Sequence, residues 1–217
     1  MEIELKYSMP ASLNGEILFK NERILCSLVE GSRERLEMKA VYMDTKDMIL
    51  RKNHITYRIR KEGNLFAATV KWKGRTEGNL HIRNEINKAI GRETEERDCF
   101  VPDLKILKDE YIGKKIYELA GEETLEPIMR VEVIRDRCSI KEKDSIIELA
   151  VDDGFVEAKG KRTPVYELEL ELIQGEEADL LNLGNEIKKM YNLVPKKESK
   201  FEEGLILLGG KNQEDYS

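Results

Sequence analysis

Apolar and charged residues alternate along much of this chain. Residues 1–7 read Met-Glu-Ile-Glu-Leu-Lys-Tyr. Successive strand side chains point to opposite faces, so Glu2, Glu4 and Lys6 share one face and Ile3, Leu5 and Tyr7 the other. The alternation recurs in five later segments. Over 54–61, Ile55, Tyr57 and Ile59 oppose Thr56, Arg58 and Arg60; over 65–73, Phe66, Ala68, Val70 and Trp72 oppose Thr69, Lys71 and Lys73. Over 80–89, Ile82 and Ile86 oppose Arg83 and Glu85; over 145–152, Ile147, Leu149 and Val151 oppose Glu148, Ala150 and Asp152. Over 164–173, Tyr166, Leu168, Leu170 and Leu172 oppose Glu167, Glu169 and Glu171. Further strands are expected over 36–43 and 127–141, with turns at 62–64, 74–78, Lys143-Asp144 and 152–154. Ile17, Leu18, Ile24, Leu25, Leu28 and Val29 predict one helix over about 13–30, with Ser12 as its cap. Helices are also expected over 176–191 and 197–208, a short turn or helix over 45–52, and irregular helical structure over 92–121.

Eight or nine antiparallel strands close into a barrel or pair as a sandwich. In an ordinary sandwich the charged faces are solvated. The amphipathic helices, however, need an apolar surface to cover. Helices packed outside a closed sheet would turn its charged face inward, which predicts an α+β barrel with an ionic lumen.

Composition narrows the function. The 217 residues fit one large domain or two small ones. Charged residues make up 37% of the chain, yet the net charge is only −6. The two signs are therefore interspersed, which argues against nucleic acid as a partner. There is no apolar run long enough for a membrane span and no leader-like start, so a cytoplasmic protein without a membrane partner is expected. Cys26, Cys99 and Cys138 are isolated, as expected of reduced thiols, and with two histidines no histidine metal centre is expected.

An ionic lumen must pair its charges or fill with water and ions. Glu2, Glu4, Glu85, Glu148, Asp152, Glu167 and Glu169 are available on one side, and Lys6, Arg58, Arg60, Lys71 and Arg135 on the other. Arginine and lysine clamp phosphate oxygens, while carboxylates hold Mg²⁺ or Mn²⁺. Together they suit a polyanion with a divalent metal.

Glu2-x-Glu4-x-Lys6 resembles the ExExK signature of the CYTH superfamily, the triphosphate tunnel metalloenzymes. The rest of the chain follows that family's order. Tyr42-x-Asp44-Thr45, Arg58-x-Arg60, Thr69-x-Lys71, Glu85, Pro127 with Arg135, Glu148 to Gly154, Glu167-x-Glu169-x-Glu171 and Ser199-Lys200 all match. The resemblance implies a closed eight-stranded antiparallel tunnel with helices outside, a single domain over 1–209 and a polar tail over 210–217. It implies that Lys6, Arg58, Arg60, Lys71, Arg135 and Lys200 bind the triphosphate, with Arg130 and Arg137 competing with Arg135. Arg137 shares Arg135's face. Glu2 and Glu4 with Glu167 and Glu169 would hold the metal, and Glu85, Glu148 and Asp152 would be further catalytic lumen carboxylates. Glu171 shares their parity and can lie beyond the metal.

Family members hydrolyse inorganic, thiamine or nucleoside triphosphates, or cyclise ATP. The cyclase branch often carries a His-Phe pair before ExExK, for which there are no residues here, and 217 residues leave no room for a CHAD domain. Tyr57, Phe66 and Trp72 lie on the outward face, which offers no base platform. Hydrolysis of inorganic triphosphate is therefore the expected activity. An adenylate cyclase and a non-catalytic polyphosphate- or nucleotide-binding module are the alternatives, and a homodimer is left open.

Overall fold

The computed structural model describes residues 1–92, 100 and 104–209. Cys99, Pro102 and the expected polar tail lie outside these residues. In chain order the elements are β1 (Glu2–Ser8), α1 (Gly15–Phe19), α2 (Glu22–Leu25), β2 (Glu34–Asp44), α3 (Ile49–Lys52), β3 (Ile55–Glu62), β4 (Leu65–Glu77) and β5 (Leu80–Arg92). After a short 3-10 turn (Leu104–Leu107) come α4 (Tyr111–Ala120), β6 (Glu126–Glu142), β7 (Ser145–Ala158), β8 (Lys161–Gln174), α5 (Glu177–Tyr191), β9 (Val194–Pro195) and α6 (Lys200–Leu207).

The strands run in the order β5-β4-β3-β2-β6-β7-β8-β1, and β1 also pairs with β5. That last pairing closes an eight-stranded antiparallel barrel, with β9 a two-residue addition to β1. Closure leaves no long edge to template association.

The alternation then sorts the side chains. One outer apolar layer joins Leu5, Leu149, Val151, Leu168 and Leu170 to α1, α2 and α5 through Leu18, Ile24, Leu180, Leu183 and Ile187. A second joins Val41, Ile55, Tyr57, Ile59, Ala68 and Val70 to α3 and α4 through Leu50, Ile112 and Ile116. A third layer is different. Met38, Ala40, Tyr42, Met129, Val131, Val133, Val156, Ala158 and Val165 pack with Leu205 and Phe201 of α6. Val131 and Val133 share strand parity with Arg135, as Val156 shares it with Asp152 and Val165 with Glu167. These residues therefore lie on the inward face. α6 fills one end of the bore, while the other helices cover the outside.

Three local expectations are corrected. The single helix over 13–30 is two short helices. The side chain of Asn14 accepts the Ile17 amide and that of Asn21 accepts the Arg23 amide, and Asn21 is extended (ψ 133°), so the second cap interrupts the helical run. Residues 74–78 are not the turn. β4 bulges between Trp72 and Arg75, where Lys73 is left-handed (φ 48°), and the strand continues to a turn at Gly78. Residues 152–154 likewise stay in β7, and the chain reverses at Lys159-Gly160, both left-handed. Gly154 is required by closeness rather than by a turn, since a Cβ there would sit 2.0 Å from the Glu132 carbonyl oxygen of β6.

Candidate active site

The charged half of the bore encloses a cavity of about 200 Å³. Glu2, Glu4 and Lys6 of β1, Arg58 and Arg60 of β3, Lys71 of β4, Glu85 of β5, Arg135 and Arg137 of β6, Glu148 of β7, Glu169 of β8 and Lys200 of α6 all line it. Asp152 and Glu167 sit behind this wall, fully buried. Arg130 has the opposite parity and is exposed on the outside.

The carboxylates fall into two groups because antiparallel register fixes their level along the bore. Opposite β1, Ser8 pairs with Glu167, Lys6 with Glu169 and Glu4 with Glu171. The first group is Asp152, Glu167 and Glu169, whose oxygens lie within 4.8 Å of one another. It is neutralised by the protein itself. Lys200 Nζ is 2.7 Å from Asp152 and 2.9 Å from Glu169 and also pairs with Glu167. Arg135 is bidentate on Asp152 (2.7 Å twice) and reaches Glu169 at 2.6 Å. Lys6 donates to Glu169 at 2.7 Å, and Lys196 pairs with Glu167 and Glu203. Against the cost of burial, Lys200, Lys6 and Arg135 hold Glu169 well below the usual carboxylate range. An ammonium stands where a cation would bind these three carboxylates.

The second group is Glu2, Glu4, Glu85 and Glu171, with Glu148 opposite Glu171 in register. Here cations are too few. Lys71 Nζ alone bridges Glu2 (2.6 Å) and Glu85 (2.8 Å). Glu4 Oε1 is buried and lacks a hydrogen bond, although Lys6 Nζ is 3.3 Å away. Glu171 has no ion pair among the described residues. Burial, then the charges of Glu2 and Glu4, push its carboxyl up to about 8. Burial and Glu4 push Glu2 up to about 7, against the pull of Lys71. Lysine and arginine hold Glu85 down at about 2 in spite of its burial. Carboxylates that repel one another in this way suit a hard divalent cation, although their oxygens are not gathered within 4.8 Å of one another as those of the first group are.

This crowding has a measurable consequence for the metal-free protein. Glu2 and Glu171 keep protons in the folded state at pH values where the unfolded chain, at 4.5, has lost them. Folding stability from them is complete below the unfolded value and is lost as pH rises through about 7 and about 8. His81, held down to about 4 by burial, acts with the opposite sign, but only below its unfolded value of 6.5. The melting temperature in EDTA should therefore fall by roughly 5 °C between about pH 6.5 and 8.5. Mg²⁺ or Mn²⁺ should recover the loss at the upper end and do little at the lower. A flat melting profile with EDTA would remove the cluster from consideration.

The opposite wall has donors to spare. Arg58 donates to the Tyr42 hydroxyl at 3.2 Å, and its Nε is buried without a partner. Arg60 Nε is 3.2 Å from Glu62 but off hydrogen-bond geometry. Burial, then the neighbouring Arg58, pushes the Arg60 guanidinium down against the pull of Glu62, whereas Tyr42, Glu85 and Glu2 raise Arg58 against its burial. Arg137 sits at the rim, 2.7 Å from Glu34 and less than 4 Å from Glu62 and Glu148.

Several lining residues have no role assigned from the sequence. Arg83 and Glu62 share parity with assigned neighbours, which was a usable signal. Tyr42 enters because its partner in register is Arg58. Thr69 and Asn87, hydrogen bonded at 2.6 Å, also face the lumen. Asp44 and Ser199 have structural duties. Asp44 accepts the Thr45, Leu50 and Arg51 amides and so caps α3. Ser199 forms a capping box with Glu202, which starts α6 where Lys200 enters the bore.

Comparison with known proteins agrees with this architecture. The family profile of the CYTH domain matches residues 1–205. An inorganic triphosphatase of Haemophilus influenzae is 28% identical over 211 residues, covering 97% of this chain and 55% of that protein. The chain thus spans little more than half the length of this curated relative. Among solved structures, HpAC1 from Hippeastrum, described as an adenylyl cyclase candidate with dominant triphosphatase activity, superposes with a TM-score of 0.63 at 16% identity, covering 98% of each chain. An adenylate cyclase candidate from Bacillus halodurans gives 0.56 at 20% identity, covering 92% of this chain and 95% of that one. Both likenesses concern the fold.

Proposed function

This chain belongs to the CYTH domain family, and on that premise we propose that it hydrolyses a linear triphosphate, inorganic triphosphate first, with Mg²⁺ or Mn²⁺. One observation carries the reading. Within a single closed lumen, buried guanidinium nitrogens of Arg58 and Arg60 without a hydrogen-bond partner share the cavity with crowded carboxylates, of which Glu2 and Glu171 are pushed toward protonation. A polyanion with a divalent ion satisfies both walls at once.

In this reading Arg58, Arg60 and Lys71 grip the phosphate oxygens, with Lys6, Arg135, Arg137 and Lys200 completing the cationic lining. Glu2, Glu4 and Glu171 hold the ion, flanked by Glu85 and Glu148. Glu167 and Glu169, implied as ligands by the family resemblance, gather with Asp152 as a second candidate group for the ion, ion-paired to Lys200 and Lys6 in its absence. When bound, the ion supplies charge neutralisation and a more acidic water. The residues keep the chain in line for attack and exclude bulk water, which is most of what phosphoryl transfer requires.

The aromatic rings favour a phosphate-only substrate. Phe201 packs on Tyr42 with centroids 5.4 Å apart, and Trp72 packs against the outer apolar layer. Both rings are engaged in packing, and cyclisation of ATP ranks second. Cytosolic placement fits this substrate, and among the described residues no helix is long and apolar enough to cross a membrane.

The test is a screen of inorganic triphosphate, ATP and thiamine triphosphate with Mg²⁺ and with Mn²⁺, resolving phosphate release from cyclic AMP. Phosphate release from inorganic triphosphate that stops in EDTA is the expected result. Undiminished release in EDTA, or cyclic AMP as the main product, would overturn the proposal.

A further inference from the structure

His81 of β5 is fully buried and has the inward parity of Arg83 and Glu85. Its partners fix the ring. Arg83 Nη2 lies 2.9 Å from Nδ1, and a guanidinium only donates, so Nδ1 is the acceptor. Thr76 Oγ1 is 3.3 Å from the same nitrogen. The Arg83 stem passes Gly74 in the β4 bulge, where a Cβ would sit 2.7 Å from Arg83 Cγ. Burial, then Lys6, keeps the ring neutral, so the imidazole proton sits on Nε2. Nε2 is itself buried and has no hydrogen-bond partner. Leaving a buried donor unmade is costly.

Glu4 stands directly opposite His81 in register. Opposed residues on one face of an antiparallel pair have neighbouring side chains. Glu4 Oε1 is the matching orphan, a buried acceptor without a hydrogen bond and with Lys6 Nζ at 3.3 Å. A buried donor, a buried acceptor and an ammonium in one polar place suit a single water. Resting on the metal reading of Glu4 above, we propose that His81 is a positioning residue for that carboxylate. Its Nε2–H donates to a buried water, and the water donates to Glu4 Oε1, which leaves the second Glu4 oxygen for the ion. Carboxylates that bind metals are oriented by such outer hydrogen bonds. Arg83 takes part at one remove, by setting the tautomer.

The test separates the two ring nitrogens. His81→Gln offers an amide N–H near the place of Nε2 and loses the acceptor at Nδ1. His81→Asn offers an acceptor near Nδ1 and loses the donor at Nε2. Mn²⁺ affinity is read without substrate, from the paramagnetic resonance signal of the free ion, and phosphate release is followed separately. His81→Asn should weaken Mn²⁺ binding about tenfold, while KM for triphosphate at saturating Mn²⁺ stays within about twofold. His81→Gln should recover most of the loss, and adding His81→Asn to Glu4→Gln should change Mn²⁺ affinity no further. The reverse order of the two His81 variants, or full additivity with Glu4→Gln, overturns the proposal. If Glu4→Gln itself keeps Mn²⁺ affinity, the metal reading falls and the proposal with it. If Glu4→Gln loses affinity and His81→Asn does not, only the positioning role falls. A crystal structure of the wild type decides the bridge even if the variants fail to fold. One water within about 3.2 Å of both His81 Nε2 and Glu4 Oε1 is expected, and a ring nitrogen turned away from Glu4 overturns the assignment.

Discussion

Glu4→Gln should lower kcat for inorganic triphosphate by about a thousandfold, roughly 4 kcal/mol of barrier, while triphosphate binding in EDTA is retained. The side chain is isosteric and 3% exposed, so the fold has no new volume to absorb. What changes is charge. Glu4 carries a buried oxygen without a hydrogen bond, in a group of carboxylates whose ion pairs come from Lys71 and, at 3.3 Å, Lys6. Removing that charge weakens the hold on a divalent ion and leaves Arg58 and Arg60 untouched. Binding without turnover would separate the acidic wall from the basic one. Turnover within a few fold of the wild type would show that Glu4 holds no essential ion. If affinity for triphosphate were lost as well, Glu4 would be organising the cationic wall instead.

Arg135→Met should lower the melting temperature by roughly 10 °C, because removing one partner of a buried ion pair costs about 3–5 kcal/mol. Arg135 is one of four cations, with Lys6, Lys196 and Lys200, set among Glu4, Asp152, Glu167, Glu169 and Glu203. Its loss leaves Asp152, fully buried, sharing Lys200 with two other carboxylates. Arg135→Met/Asp152→Asn restores the balance and should recover much of the loss, a coupling that a double-mutant cycle reads directly. Strict additivity would mean that the two groups do not interact in solution.

The alternation of side chains made the inverted barrel legible, since parity assigns each residue to the lumen or the outside. Parity says nothing about height along the bore. The level of each carboxylate depends on pairing between strands far apart in sequence, which sets Glu4 opposite Glu171 and places Glu167 opposite Ser8. That long-range register is why Glu171 joins the uncompensated group while Glu167 meets lysines from the segment before α6 and from α6 itself. The split at Asn21 and the strand running through Gly154 escaped for a related reason. Each depends on a specific hydrogen bond or a close backbone approach rather than on a repeating pattern. The inward position of α6 was hidden because its small apolar face is that of an ordinary surface helix.

That inward position sets an order of assembly. β1 finds its partners only when β5 and then β8 have been made, and α6 is made after all the strands it packs against. A chain still being synthesised can close its wall before Lys200 and Leu205 are available. Until then Met129, Val131 and Val156 line an open bore, and Asp152 and Glu167 wait for the lysine that neutralises them. Such a nascent barrel is both inactive and hydrophobic inside, a state that chaperones and proteases can tell from the finished protein.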